Sequence, residues 1–202
     1  MIIDEDIVAG GVTPFIITKL IERHERERQR YRLLHDYYMG DHRILNRRKR
    51  GKNVANNRIM CNHAKYITDM TQSYLVGNPV TYAVSDEYDI EAIKNEYLEQ
   101  DMPSVDSEIV KNMSIYGKAY ELIYADEKSK PRSVRLDPEH TFVCYSQSAF
   151  EKPLFAVYYY KKYDLDGYCT GSICRVYDES FIYTYTGLDS YTCLLYTSDA
   201  AD

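Results

Sequence analysis

Apolar and amphipathic residues recur every three or four positions between Thr13 and Gly40, while the charges of the stretch HERERQR occupy the other faces. This spacing predicts one amphipathic helix of about seven turns. Thr13 can cap the first turn, Pro14 suits the first helical position and Gly40 suits the end. The expected buried face consists of Ile17, Leu20, Ile21, His24, Tyr31, Leu34 and Tyr38.

Helical spacing returns three more times before the chain changes character. Asn62 can cap a helix that ends at Gly77, a second helix follows Asp89, and a third opens at Pro103 and closes at Gly117. At Gly117 we expect a positive φ, because glycine adopts the left-handed region without steric cost. The residues of the first of these helices that are expected to face the core are Ala64, Ile67, Met70, Tyr74 and Leu75.

After Lys118 the apolar period falls from about three and a half residues to two. The alternating segments are separated by turn signals such as Asp137-Pro138 and Asp166-Gly167, and they read AYELIYA, SVRL, TFVCY, LFAVYYYKKY, ICRVY and SFIYTYT. A shorter strand is predicted at Val80 to Val84. Helices followed by a tyrosine-rich, meandering antiparallel sheet predict an α+β fold.

Composition agrees with a globular chain of one or two domains, with 202 residues, 45% hydrophobic and 28% charged. The mean hydropathy is −0.51, and no apolar run approaches the roughly 20 residues of a spanning helix. We therefore expect no membrane partner. The acidic start MIIDEDIVAGG lacks the features of a signal peptide, so a cytosolic location and free cysteine thiols are the expectation.

Charge is distributed unevenly along the chain. Residues 19–52 carry twelve Lys and Arg against five Asp and Glu, a local charge of +7, whereas residues 53–202 carry −10. The first half of this basic block falls within the predicted long helix, where its charged side chains form the solvent-exposed face. The second half predicts an exposed loop whose basic residues contact nucleic acid, meet an acidic patch on a neighbouring subunit, or are simply solvated. These residues are Arg47, Arg48, Lys49, Arg50 and Lys52.

Motifs for catalysis, metal binding or cofactor binding are not found in the sequence. It contains no G-x-x-x-x-G-K-[ST] phosphate-binding loop. Cys169 and Cys174 have no second pair at zinc-site spacing, and the stretch from Asp164 to Tyr168 predicts a turn and not a calcium loop. We expect no enzyme activity, no metal and no cofactor.

The stretch from Tyr37 to Tyr82 resembles the N-terminal signature of tailed-bacteriophage portal proteins, the head-to-tail connectors of siphophages. In that signature Y-x-G-x-H-x-I is followed by N-N-R, by N, and by Y-L-x-G-x-P-V. A fainter resemblance continues through SIYGKAY, which contains Gly117, and through the strands to Thr186. The matching positions are Tyr38, Gly40, His42, Ile44, Asn56, Asn57, Arg58, Asn62, Tyr74, Leu75, Gly77, Pro79 and Val80.

The resemblance also suggests how the chain is divided. Residues 1–52 form an N-terminal segment with the long helix and the basic loop, and residues 53–192 form an α+β domain similar to the portal wing. Residues 193–202, CLLYTSDAAD, resemble a translated sequencing adapter. Portal proteins are about twice as long as this chain, so we expect an N-terminal fragment that lacks the stem, clip, tunnel loop and crown.

The resemblance implies a structural subunit of a homo-oligomeric ring, usually of twelve copies, at one capsid vertex of the virion. Such a ring assembles in the host cytoplasm and passes double-stranded DNA during packaging and ejection. Its implied partners are the terminase large subunit, scaffold and major capsid proteins, and head-completion proteins. We hypothesise that Arg47, Arg48, Lys49 and Arg50 supply the basic side of the contact between subunits.

Two other functions are consistent with parts of the sequence. A nucleic-acid-binding module could use the basic helix and loop together with aromatic strands, because exposed tyrosine rings stack on single-stranded bases. Cross-strand packing and a subunit interface account better for the tyrosines, since basic residues interleave with them only at Lys161 and Lys162. An uncharacterised phage enzyme would need a clustered site that the sequence does not show.

Overall fold

The computed structural model describes residues 1–48, 57–84 and 89–187, together with the backbone of residues 194–197. Short 3-10 turns lie at Glu5–Ile7 and Arg43–Asn46. The helices are α1 (Pro14–Met39), α2 (His63–Val76), α3 (Glu91–Glu99) and α4 (Met102–Tyr116). The strands are β1 (Ile2–Ile3), β2 (Tyr120–Ala125), β3 (Pro131–Leu136), β4 (Thr141–Ser146), β5 (Pro153–Tyr163), β6 (Cys169–Tyr177), β7 (Ile182–Gly187) and β8 (Leu194–Thr197).

These elements divide into two compact units. Residues 1–29 and 139–202 form one, here called the sheet unit, and residues 30–138 form the other, here called the helical unit. The α+β class predicted from the sequence is confirmed. The division at residues 52 and 192 that the sequence suggests stays a prediction, as does the adapter origin of residues 193–202.

Helix α1 begins and ends where its caps predict. The backbone N–H of Ile16 donates to Thr13 Oγ1 at 3.4 Å, Pro14 is the first helical residue, and Gly40 follows the last with a φ of 91°. The predicted apolar face is confirmed for five residues that are buried, namely Ile17, Leu20, Ile21, His24 and Tyr31. Leu34 and Tyr38 are half-buried.

The core of the sheet unit lies between the first half of α1 and one face of a six-stranded sheet. Strands β4 to β8 form an antiparallel meander, and β1 pairs in parallel with β4 at its edge. The register places Val157 opposite Val176 and Tyr159 opposite Cys174, so alternate side chains meet Ile17 and Ile21 of the helix. The buried hydroxyl of Tyr185 donates to Val12 O at 2.9 Å.

The single predicted meander needs correction, because the strands form two sheets. Strands β2 and β3 make a separate antiparallel hairpin in the helical unit, and β4 starts the meander after the Asp137-Pro138 turn. Alternation predicts where a strand lies but not which strand it pairs with. Within the described range 57–84, the predicted strand from Val80 to Val84 is also wrong, since these residues form no strand.

The helical unit packs α2 against α4 through polar side chains. Gln72 Nε2 donates to Ser107 Oγ at 2.6 Å, and Ser114 Oγ donates to Thr68 Oγ1 at 3.3 Å, with Thr68 buried. The core face predicted for α2 is therefore wrong, because its large apolar side chains lie on the outside and only Ala64 is half-buried. Tyr74 is 89% exposed, and Ile67, Met70 and Leu75 are each between 55% and 60% exposed.

The remaining helix ends follow the predicted signals. Asp89 Oδ1 accepts from the backbone N–H of Glu91 at 2.8 Å, and α4 begins one residue before Pro103. Gly117 closes α4 with a φ of 73°, as predicted, and its N–H donates to Met113 O at 2.9 Å. The chain then enters β2.

We predict that Gly117→Val lowers the free energy of unfolding, whereas Gly117→Asn lowers it much less. Apart from the two chain neighbours of Gly117, no atom of the described residues lies within 4 Å of the position that a Cβ would take, so the cost comes from the backbone conformation. A β-branched residue in the left-handed region costs about 1–2 kcal/mol, and asparagine tolerates that region. Urea unfolding measures both variants, and equal losses would contradict the explanation.

Candidate functional site

The motif residues converge where α1 ends and α2 begins. Asn62 Nδ2 donates to the carbonyl oxygen of Tyr38 at 2.9 Å, and Asn62 Oδ1 accepts from the N–H of Lys65 at 3.0 Å. One side chain thus satisfies a free carbonyl in the last turn of α1 and a free N–H in the first turn of α2. We call the contacts among Tyr38, Gly40, His42 and Asn62 the motif junction.

Gly40 is required at the motif junction for two physical reasons. Its φ of 91° lies in the left-handed region, where side chains are disfavoured. A Cβ on Gly40 would also lie 3.3 Å from Asn62 Nδ2 and 3.3 Å from Met60 Cε. Asp41 N–H then donates to Asp36 O at 2.8 Å, which completes the turn that ends α1.

His42 and Arg58 fix the segment that leaves this turn. The His42 ring stacks on Tyr37 with centroids 4.8 Å apart, and its Nε2 lies 3.1 Å from Tyr37 O. Because a carbonyl oxygen only accepts, Nε2 carries the hydrogen. Arg58 Nη1 donates to Leu45 O at 2.8 Å, so this guanidinium contacts the turn that contains Ile44.

The Tyr38 side chain links the junction to α2 and α4. Its hydroxyl donates to Asp69 Oδ1 at 3.4 Å, and the ammonium groups of Lys65 and Lys111 lie 6.0 and 5.8 Å from its ring centroid. Burial, opposed by Lys111 and reinforced by Asp69, raises the pKa of Tyr38 above its usual value. The phenol therefore stays protonated at neutral pH and acts as a hydrogen-bond donor and an aromatic platform.

The second half of the motif lies on an exposed surface. Tyr74, Leu75, Pro79 and Val80 are all exposed. Gly77 has a helical φ of −64°, and a Cβ there would collide with the carbonyl oxygen of Ser73. We call the exposed side chains of α2 the α2 apolar face, which consists of Tyr66, Ile67, Met70, Tyr74 and Leu75.

The basic loop is described only in part. Arg47 and Arg48 are exposed directly after the turn at Arg43–Asn46, and Asn57 is also exposed. The other residues singled out here, Lys49, Arg50, Lys52 and Asn56, lie outside the described residues. Their proposed contacts therefore stay predictions.

Three residues of the junction were not predicted from the sequence, namely Met60, Asp69 and Lys111. Met60 bounds Gly40, Asp69 accepts from Tyr38, and Lys111 lies over its ring. No pattern in the sequence indicated Lys111, which lies on α4. Asp69 lies on the polar side of α2 and is not among the residues predicted to face the core.

Chemistry for catalysis is not evident in the described residues. No three His, Cys, Asp or Glu side chains among them are placed to hold a metal ion, and no helix in that part is long and apolar enough to cross a membrane. Among the described residues, Cys61, Cys144, Cys169 and Cys174 are free thiols. Burial raises the pKa of Cys144 to about 12, so its thiol is not a nucleophile at neutral pH.

We predict that Asn62→Ala destabilises the chain by roughly 1–3 kcal/mol, because both the cap of α2 and the bond to Tyr38 are lost. Asn62→Ser is the matched control, since its hydroxyl can cap Lys65 N–H but does not reach Tyr38 O as the amide does. We expect the serine variant to recover about 1 kcal/mol in urea unfolding. Equal destabilisation by alanine and serine would show that Asn62 is not a cap.

Comparisons with known proteins agree with the motif. The sequence model of the family described as phage portal protein, SPP1 Gp6-like, matches residues 17–200. The chain is 30% identical over 186 residues to the portal protein of Bacillus phage SPP1. The aligned region covers 86% of this chain and 36% of that protein. The chain thus spans about a third of the length of that relative. It belongs to the SPP1 Gp6-like family of phage portal proteins, as the resemblance of its motif implies.

Proposed function

We propose that this chain is part of a subunit of the portal ring, a homo-oligomer at one capsid vertex through which double-stranded DNA is packaged and ejected. The observation that carries the proposal is the match of the family to residues 17–200. In the whole protein, the proposed partners are the terminase large subunit, the scaffold and major capsid proteins, and head-completion proteins. A ring of twelve copies is the stoichiometry that the family suggests.

The charged side chains of the helical unit support a structural role. Arg132 contacts Glu96 at 3.1 Å and Asp126 at 2.9 Å, and Lys130 contacts Glu99 at 2.8 Å. Hydrogen bonds from Lys130 hold the pKa of both Glu99 and Asp126 below their usual values. These carboxylates stay ionised at neutral pH, which suits ion pairs between α3 and the β2–β3 hairpin and does not suit a general acid.

The basic loop is proposed to contact the next subunit. A ring needs a head-to-tail contact in which two different surfaces meet, and a basic surface on one copy can meet an acidic surface on the next. Residues 53–202 carry a charge of −10, which supplies acidic surface and limits non-specific binding to DNA. Exposure of Arg47 and Arg48 supports this placement.

We predict that reversing four charges of the loop abolishes ring formation by the full-length protein, because the basic side of the contact becomes acidic. The variant carries Arg47→Glu, Arg48→Glu, Lys49→Glu and Arg50→Glu. A control with the same charge change uses exposed residues elsewhere, Arg26→Glu, Arg30→Glu, Lys161→Glu and Lys162→Glu. Native mass spectrometry measures the oligomer, and unaltered rings in the loop variant would overturn the assignment.

Nucleic-acid binding by the loop is the second candidate function, and the exposed guanidinium groups of Arg47 and Arg48 are the observation that favours it. A binding module should retard short duplex DNA in a gel at moderate salt, with affinity that falls steeply as salt rises. We expect the 202-residue chain to cause no retardation under these conditions. If the chain retards the DNA, and the loop variant with Arg47, Arg48, Lys49 and Arg50 reversed does not while its control does, the nucleic-acid-binding module would be favoured.

A further inference from the structure

The α2 apolar face is large for a surface that is left open to water. Its five side chains are each more than half exposed, and two of them are tyrosines. With about 200 Å² for a large side chain, they present roughly 600 Å² of mostly apolar surface. A standard protein–protein interface buries about 800 Å² on each partner, so this face alone supplies most of one side.

Apart from Leu75, which lies on the same side of α2 as Thr68, the α2 apolar face points away from the interior of the helical unit. Thr68 and Gln72, which contact α4, are one turn apart on the opposite side of α2 from Tyr66, Met70 and Tyr74. Helix α2 thus buries its polar side and presents its apolar side, the reverse of a surface helix in a monomer. Such an arrangement indicates that another surface covers the exposed side.

A groove of matching character lies elsewhere in the helical unit. It has a volume of about 650 Å³, is bounded by α3 and the β2–β3 hairpin, and falls in the size range of natural binding pockets. Its apolar walls are formed by Tyr82, Ala92, Ile93, Tyr97, Met102 and Ile123.

The polar groups around this groove already have partners. Glu96 pairs with Arg132, Tyr97 OH donates to Asp106 Oδ2 at 2.7 Å, and both amide atoms of Gln100 are bonded to the β3 backbone. A charged ligand would have to break these bonds. An apolar side chain needs only to displace water, so the chemistry of the groove favours an apolar occupant.

The groove and the α2 apolar face open in different directions. On α4, Ser107 contacts α2 while Met102 lines the groove, and five residues correspond to a rotation of about 140° around a helix. The unit therefore cannot fold its own α2 apolar face into its own groove. Two different surfaces on two sides of one unit are what a head-to-tail contact between copies requires.

We propose that the α2 apolar face of one copy docks into the groove between α3 and the β2–β3 hairpin of the next copy. The identity of the partner as a second copy rests on the proposed ring function. Tyr74, the most exposed residue of the face, enters the groove and contacts the wall that contains Ile93.

Cross-linking between two differently labelled copies tests the contact. In the full-length protein, accessible cysteines, including Cys61 and Cys169, are first replaced by serine. One preparation then carries Tyr74→Cys and another carries Ile93→Cys, and the two are mixed with a short bis-maleimide. We expect cross-linked dimers from the mixture and none from either preparation alone.

The matched control replaces Tyr74→Cys by Phe150→Cys, a residue of the sheet unit that is 93% exposed. No cross-linking above this control would overturn the docking proposal. Cross-linking of the Tyr74→Cys preparation with itself would also overturn it, because the face would then meet a copy of itself. Coverage of the face by another segment of the same full-length chain would likewise give no cross-linking above the control and would overturn the proposal.

A second variant separates this proposal from the ring function itself. Tyr74→Asp should raise the protein concentration needed for half-maximal assembly by roughly tenfold or more, as expected for an interface tyrosine. Phe150→Asp should leave it unchanged, and both variants should unfold like the parent. Normal assembly of Tyr74→Asp would overturn the docking proposal and leave the ring intact. If the unsubstituted full-length protein did not assemble into rings, while the Tyr74–Ile93 cross-link still formed, the proposed ring function would be contradicted and the docking proposal would stand.

Discussion

The two hydrogen bonds of Asn62 are the contact on which the helical unit depends. More than twenty residues separate the end of α1 from the start of α2 along the sequence, so chain connectivity does not bring them together. The amide does so by donating to Tyr38 O and accepting from Lys65 N–H. Any residue without both a donor and an acceptor would leave one helix end unsatisfied. Gly40 contributes by leaving space for this amide.

Helix α2 reverses the usual use of its two sides. Its polar side is used for packing, through Thr68 and Gln72, and its apolar side remains outside. These partly buried hydrogen bonds between side chains are directional and fix the orientation of α2 against α4. A helix held in this way can present large apolar residues without rotating to bury them. This property suits the proposed contact between the α2 apolar face and a neighbouring copy.

The elements that local rules determine could be predicted from the sequence. The ends of α1 follow from Thr13, Pro14 and Gly40, and the positive φ of Gly117 follows from its place after α4. What could not be predicted depends on which surfaces meet. Periodicity identified the apolar side of α2 but not that this side stays exposed, and alternation identified β2 and β3 but not their separation from the meander. Similarly, the motif indicated Tyr38 and Asn62, whereas Asp69 and Lys111 reach Tyr38 only through packing.

The thiols of the chain differ sharply in their access to solvent. Cys144 and Cys174 lie in the core of the sheet unit, whereas Cys61 and Cys169 are exposed. An alkylating reagent can therefore modify the first pair only when β4 and β6 open, at a rate that reports the free energy of that opening. Cys144 and Cys174 thus report the local opening of the sheet unit without any added label. The exposed Cys61 and Cys169 serve as an internal reference for the activity of the reagent.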